Sequence, residues 1–80
     1  MKLTEESLLQ FLRDELGVDV AAIDGTTPLF SRGLIDSFAL VSLMTFVESS
    51  AGLRIRPDEV TLDNFDSVDR ILGFVEHRAA

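Results

Sequence analysis

The segment spanning residues 36–50, DSFALVSLMTFVESS, constrains the fold more than any other part of the chain. It holds no proline or glycine and stands between Gly33 and Gly52, so it reads as one helix that starts at Asp36 and runs to about Ser50. At about 100° per residue, Leu40, Leu43, Met44, Val47 and Ala51 fall in one sector less than roughly 120° wide, the face that a helix turns to a core. Phe38, Val41, Thr45 and Glu48 occupy a second sector about a third of a turn away, with two large apolar side chains near the helix start. A third sector carries Ala39, Ser42, Phe46, Ser49 and Ser50, and its small residues leave Phe46 to touch the preceding loop. A chain of 80 residues buries roughly 60% of the surface it exposes when unfolded and has room for one core. The second apolar sector therefore has two readings. Either Phe38 and Val41 pack under the loop, or they form a stripe for partners, with anchors one helical turn apart.

Two further helices can be read from spacing. Over residues 4–16, Thr4 is placed to cap, Glu5 and Glu6 favour the positive end of the dipole, and Leu8, Leu9, Leu12 and Leu16 recur at helical spacing up to Gly17. The last helix begins at Asp66 or Ser67 and uses Val68, Ile71, Leu72 and Val75 as its stripe, with Phe65 as a hydrophobic staple. Gly73 costs that helix about 1 kcal/mol relative to alanine and marks a close helix crossing. Pro57 followed by Asp58 and Glu59 predicts a short helical turn over residues 58–62. Residues 18–35 hold no strict period; Asp24, Gly25, Thr26, Thr27, Pro28, Ser31 and Gly33 make them a long loop, anchored by Ile23, Leu29, Phe30 and Leu34. A loop of that length is itself a hint of function. No strand signal exceeds Leu53-Arg54-Ile55-Arg56. The expected fold is all-α: one domain over residues 1–80, a small four-helix bundle with three main helices, one short third helix and a long first loop.

Seven Lys and Arg stand against fourteen Asp and Glu, a formal charge of −7, which repels nucleic-acid phosphate and anionic lipid. Neither nucleic acid nor membrane is an expected partner. Residues 57–69 hold Asp58, Glu59, Asp63, Asp66 and Asp69 and no basic residue, a face that suits a basic docking patch or simply keeps the protein soluble. There is no cysteine, which excludes disulfides and thiolate metal sites. One histidine, no calcium-loop spacing and no Gly-rich phosphate loop leave no expected metal site. The first ten residues lack a secretory signal pattern and no run approaches the ~18 apolar residues of a membrane span. A cytoplasmic monomer is the expectation.

With Asp36 as N-cap, Ser37 occupies the first helical position, where unpaired backbone N–H groups and the dipole favour a phosphate ester. A nucleophilic serine would need a base within hydrogen-bond reach, and His77 lies far along the chain on the last turn of the last helix. No catalytic residue is expected. Asp66-Ser67 repeats the Asp-Ser pair at another helix start, so the pair alone says little. Context separates the two: Ser37 has a long loop and Gly33 before it and surplus apolar surface behind it, whereas Ser67 reads as an ordinary cap.

The stretch LFSRGLIDSFALVSLMTFVESSAGLRI, followed by LDNFDSVDRILGFV with its Asn64-Phe65 pair, resembles the acyl and peptidyl carrier proteins, in particular small discrete carriers of natural-product pathways. The resemblance implies that Ser37 receives a 4′-phosphopantetheine arm from coenzyme A. A separate phosphopantetheinyl transferase would attach it with magnesium, and the arm's thiol would carry a substrate as a thioester. Asp36 matches the acidic position that helps the transferase engage. Phe38 matches the apolar position beside the serine, Val41 and Thr45 match outward positions of the recognition helix, and Glu48 completes that stripe. Two departures stand out: Leu34 and Ile35 both separate Gly33 from Asp36, where the family most often has one residue, and Ala39 and Ser42 stand where fatty-acid-synthase carriers have further acids. The resemblance thus implies an adenylating enzyme that activates an acyl or aminoacyl group, and downstream acyl-transferring or tailoring enzymes, as partners. The competing reading is an unmodified helical interaction module that uses Phe38, Val41 and the acidic third segment.

Overall fold

In the computed structural model, which describes residues 3–79, the chain forms α1 (Glu5–Leu16), α2 (Ser37–Ala51), α3 (Leu62–Phe65) and α4 (Val68–Ala79). The described residues include no strand, and the all-helical bundle matches the sequence expectation. None of these helices is long and apolar enough to cross a membrane. Each long helix starts and stops for local reasons. Thr4 Oγ1 accepts from Ser7 N at 3.1 Å while Ser7 Oγ accepts from Thr4 N at 3.0 Å, a reciprocal cap at the head of α1. Gly17 (φ +70°) and Gly52 (φ +69°) take the left-handed conformation that closes α1 and α2. Leu8 and Leu12 of α1, Leu43 and Val47 of α2, and Val68 and Ile71 of α4 meet in the core, joined by Leu29 and Phe65.

Phe46 departs from expectation. Its ring stacks on Phe11 of α1 with centroids 4.4 Å apart, so its neighbour is a helix and not the loop. Gly73 departs as well: it is exposed, and a Cβ built there meets nothing within 4 Å, so no helix crosses it. The close approach lies instead at Gly25, where an added Cβ would collide with the Asp69 carboxylate. There Asp69 N donates to Gly25 O at 2.9 Å, tying the long loop to the first turn of α4.

The short third helix lies further along the chain than expected. Residues 57–62 split into a 3₁₀ turn at Pro57–Glu59 and the start of α3, which Thr61 caps by accepting from Asn64 N at 3.3 Å. Glu59 explains the break. Its carboxylate turns inward, accepts from Arg56 N at 2.8 Å and receives Arg78 Nη1 at 2.5 and 2.6 Å, while Arg78 Nη2 reaches Arg54 O at 3.0 Å. Asn64 Nδ2 holds Glu59 O at 2.8 Å. Together these bonds fix the chain off the helical path before α3 begins.

The long loop contains a second 3₁₀ turn, Val20–Ala22, capped by Asp19. Leu29 is its deepest anchor, with Ile23 and Phe30 half-buried as expected. Leu34 is not an anchor: it is 41% exposed, and its neighbour Ile35 is buried in its place. Gly33 turns at φ +74°, and Leu34 N (2.9 Å) and Ile35 N (3.2 Å) both donate to Leu29 O. Of two adjacent apolar residues after such a turn only one faces inward, and this geometry selects Ile35.

Candidate functional site

The site is built at the head of α2. Asp36 has extended backbone (φ −106°, ψ −175°), its Oδ1 accepts from Ala39 N at 2.9 Å, and its carbonyl accepts from Leu40 N at 3.0 Å. That cap starts the helix at Ser37 and leaves the N–H groups of Ser37 and Phe38 without an intrahelical partner, directed past the helix end. Ser37 is exposed on this electropositive tip. The arrangement suits an anion on the serine oxygen, because free N–H groups and the dipole act on it together.

Beside the serine, Phe38 is 88% exposed and Val41 65% exposed. Burial under the loop, the blander of the two readings of this sector, therefore does not describe them. Thr45 continues the exposed stripe one turn on, its hydroxyl donating to Val41 O at 3.0 Å. Glu48 differs from these three. It is half-buried, and its Oε2 accepts from Ile55 N at 2.7 Å, which fastens the segment after α2 back onto the helix. On the flank, Val41 and Thr45 pass into a shallow groove whose far wall is Gln10, Phe11 and Asp14 of α1.

The acidic segment is open only in part: Asp58, Asp63 and Asp69 are exposed, whereas Glu59 and Asp66 are engaged by the rest of the chain. Glu59 is turned inward onto Arg78, Asp58 lies 3.6 Å from Arg56 Nε, and Asp63 lies 3.4 Å from Arg70 Nη1. Arg78 and the N–H of Arg56 hold the Glu59 carboxyl below the ordinary glutamate range, the backbone bond to Arg56 contributing most. Asp66 is likewise occupied: its carboxylate accepts from Ser31 Oγ (2.6 Å), Phe30 N (2.8 Å) and Ser31 N (3.0 Å). These bonds, led by the Ser31 hydroxyl, hold the Asp66 carboxyl below the ordinary aspartate range. Sequence reasoning missed this clasp, and the only available signal was a second Asp-Ser pair at a helix start. It also missed Leu62, 56% exposed at the first position of α3.

A family model described as "Phosphopantetheine attachment site" matches residues 6–75. The chain belongs to this phosphopantetheine attachment family. It is a carrier protein, and its prosthetic group is covalently attached 4′-phosphopantetheine. Among curated relatives, the D-alanyl carrier protein of Abiotrophia defectiva is 30% identical over 76 residues, covering 95% of this chain and 96% of that one. The D-alanyl carrier protein of Enterococcus faecalis is 28% identical over 72 residues, covering 90% of this chain and 92% of that one. The fold is shared with the holo acyl carrier protein of Nitrosomonas europaea, known from a solution NMR structure, with a TM-score of 0.74 and 24% identity over 94% of each chain. Members of the family are in general loaded and unloaded by other enzymes. The head of α2 fits the group this family carries, since it offers an exposed hydroxyl, free N–H groups for a phosphodiester and the Asp36 carboxylate, which caps the helix without occupying the tip.

Proposed function

We propose that Ser37 is the residue that bears the arm, and that this carrier presents a small aminoacyl group, of the D-alanyl kind, as a thioester to visiting enzymes. The observation that carries the attachment site is the exposed Ser37 hydroxyl at the first position of α2, one residue from a phenylalanine that is 88% exposed. In the transfer step the Ser37 oxygen bonds to the phosphorus that bears the pantetheine in coenzyme A. The phosphoanhydride bond breaks, adenosine 3′,5′-bisphosphate leaves, and the serine proton passes to a base of the transferase. Asp36 acts by holding the helix start open and by offering a charge to the transferase and its magnesium. Phe38, Val41 and Thr45 form the surface that the transferase, an adenylating enzyme and acyl-transferring enzymes grip in turn, with Glu48 setting its lower edge. The aminoacyl cargo is supported by the names of the two bacterial relatives, each of which spans nearly the whole of this chain. This is a narrower reading than a natural-product carrier, which the resemblance alone implied. The carrier itself works as a monomer in the cytoplasm on this reading, without chemistry of its own.

The test is intact-mass measurement after incubation with coenzyme A, magnesium and a broad-specificity phosphopantetheinyl transferase. One arm is expected on the wild type and none on Ser37→Ala. Folded protein that gains no mass, or a gain that persists in Ser37→Ala, overturns the attachment site. Loading of the holo protein by a D-alanine-activating enzyme, read as a hydroxylamine-sensitive mass gain, tests the cargo; a preference for an aryl acid or a longer acyl chain would overturn that part. An unmodified interaction module predicts the reverse pattern, in which Ser37→Ala changes nothing and Phe38→Ala removes partner binding.

A further inference from the structure

Ser37 is delivered by a connection that runs from Gly17 to Asp36, long enough to adopt many conformations. What holds its last third in one of them is a residue far away in sequence. Asp66, between α3 and α4, offers its carboxylate to Phe30 N, Ser31 N and Ser31 Oγ, and its carbonyl accepts from Leu29 N at 2.5 Å. Three consecutive loop residues are thus held by one aspartate 35 to 37 positions away. Leu29, so held, accepts from both Leu34 N and Ile35 N, and Phe30 O accepts from Gly33 N at 3.0 Å. The turn at Gly33 then buries Ile35, and Asp36 and Ser37 follow directly. The connection is therefore continuous: Asp66, residues 29–31, the Gly33 turn, Ile35, Asp36, Ser37.

We propose that Asp66 is a positioning residue for arm transfer: by clasping residues 29–31 to the α3–α4 junction it fixes the turn that presents Asp36 and Ser37 to the transferase. The proposal rests on Ser37 as the attachment site. A clasp of this kind acts on engagement more than on the chemical step, because the transferase must meet the loop and the helix tip in one geometry. An asparagine at this position keeps one oxygen for the two backbone N–H groups and an amide that donates to the Ser31 hydroxyl, so it retains most of the clasp. An alanine retains none of the side-chain bonds.

The test compares transfer kinetics on wild type, Asp66→Ala, Asp66→Asn, Ser31→Ala and Val68→Ala, at a temperature where circular dichroism shows every variant folded. Asp66→Ala is expected to raise KM for the carrier roughly tenfold with kcat changed less than about twofold. Asp66→Asn should recover most of that loss, and Ser31→Ala should fall between. Val68→Ala lowers stability while removing none of the clasp's hydrogen bonds, and its KM should stay at the wild-type value. Amide hydrogen exchange should show Phe30 N–H and Ser31 N–H losing protection in Asp66→Ala. Wild-type kinetics in Asp66→Ala, or an equal rise in KM for Val68→Ala, would overturn the proposal while leaving Ser37 in place. Failure of the wild type to take an arm at Ser37 would instead overturn the attachment reading. Should Asp66→Ala not fold, the graded order of Ser31→Ala and Asp66→Asn decides the matter alone.

Discussion

The two Asp-Ser pairs of this chain open two helices and do opposite things. At the head of α2 the aspartate is the cap and the serine is the first helical residue, exposed, with Phe38 behind it in solvent. At the head of α4 the frame moves by one residue. Ser67 is 4% exposed and caps by accepting from Arg70 N at 3.2 Å, Asp66 clasps the long loop, and Val68 is completely buried. The dipeptide is the same, but register decides which side chain meets the helix end and which is free for other work. The difference teaches that an exposed hydroxyl on a helix tip requires the aspartate to take the cap; where the serine takes it, the hydroxyl is consumed.

The largest contrast concerns modification. Ser37→Ala should abolish arm attachment entirely, while Ser67→Ala should be modified at Ser37 like the wild type, both read by intact mass; equal behaviour of the two serines would break the comparison. Next comes the residue after each serine. Val68→Ala should lower the unfolding free energy by about 2 kcal/mol through lost burial and the cavity left behind, measured by urea titration. Phe38→Ala should stay within about 0.5 kcal/mol of wild type, yet weaken binding to an adenylating enzyme by calorimetry. A smaller effect attends the caps. Asp36→Ala and Ser67→Ala should each cost about 1 kcal/mol, but only Asp36→Ala should also slow arm transfer. The smallest effect is one of pH. Because the folded-state value of Asp66 is lowered from 3.8, led by its bond to the Ser31 hydroxyl, its contribution is present above the unfolded value and is lost as pH falls through the folded one. The melting temperature of the wild type should therefore fall more steeply below about pH 4 than that of Asp66→Asn, and parallel curves would remove Asp66 from the account.

Much of this fold was legible because its signals are local. Thr4, Gly17, Gly52 and the Leu8, Leu12, Leu43, Val47 and Ile71 spacings act within a turn or two, and the helices they predict are present with ends moved by at most a residue or two. The exposed serine on a capped helix was legible for the same reason, since Asp36 reaches only to Ala39. The misplaced short helix, Leu34, Phe46 and Gly73 were not, because each depended on a contact with a distant element: Glu59 with Arg78, Leu29 with Ile35 and Asp66, Phe46 with Phe11, and Gly25 rather than Gly73 against the Asp69 side chain.

Residue order alone therefore determined where helices begin, which face of each is apolar, and that Ser37 stands on an electropositive tip with more greasy surface beside it than one core absorbs. Only the packed chain decided which of the surplus apolar groups stay in water, which acids are spent on internal bonds, and how a loop from Gly17 to Asp36 is held. The physical reason is range: capping and periodicity are settled by neighbours within a few residues, whereas the choice between Leu34 and Ile35, or between a free and a clasped Asp66, is made by groups that only folding brings together.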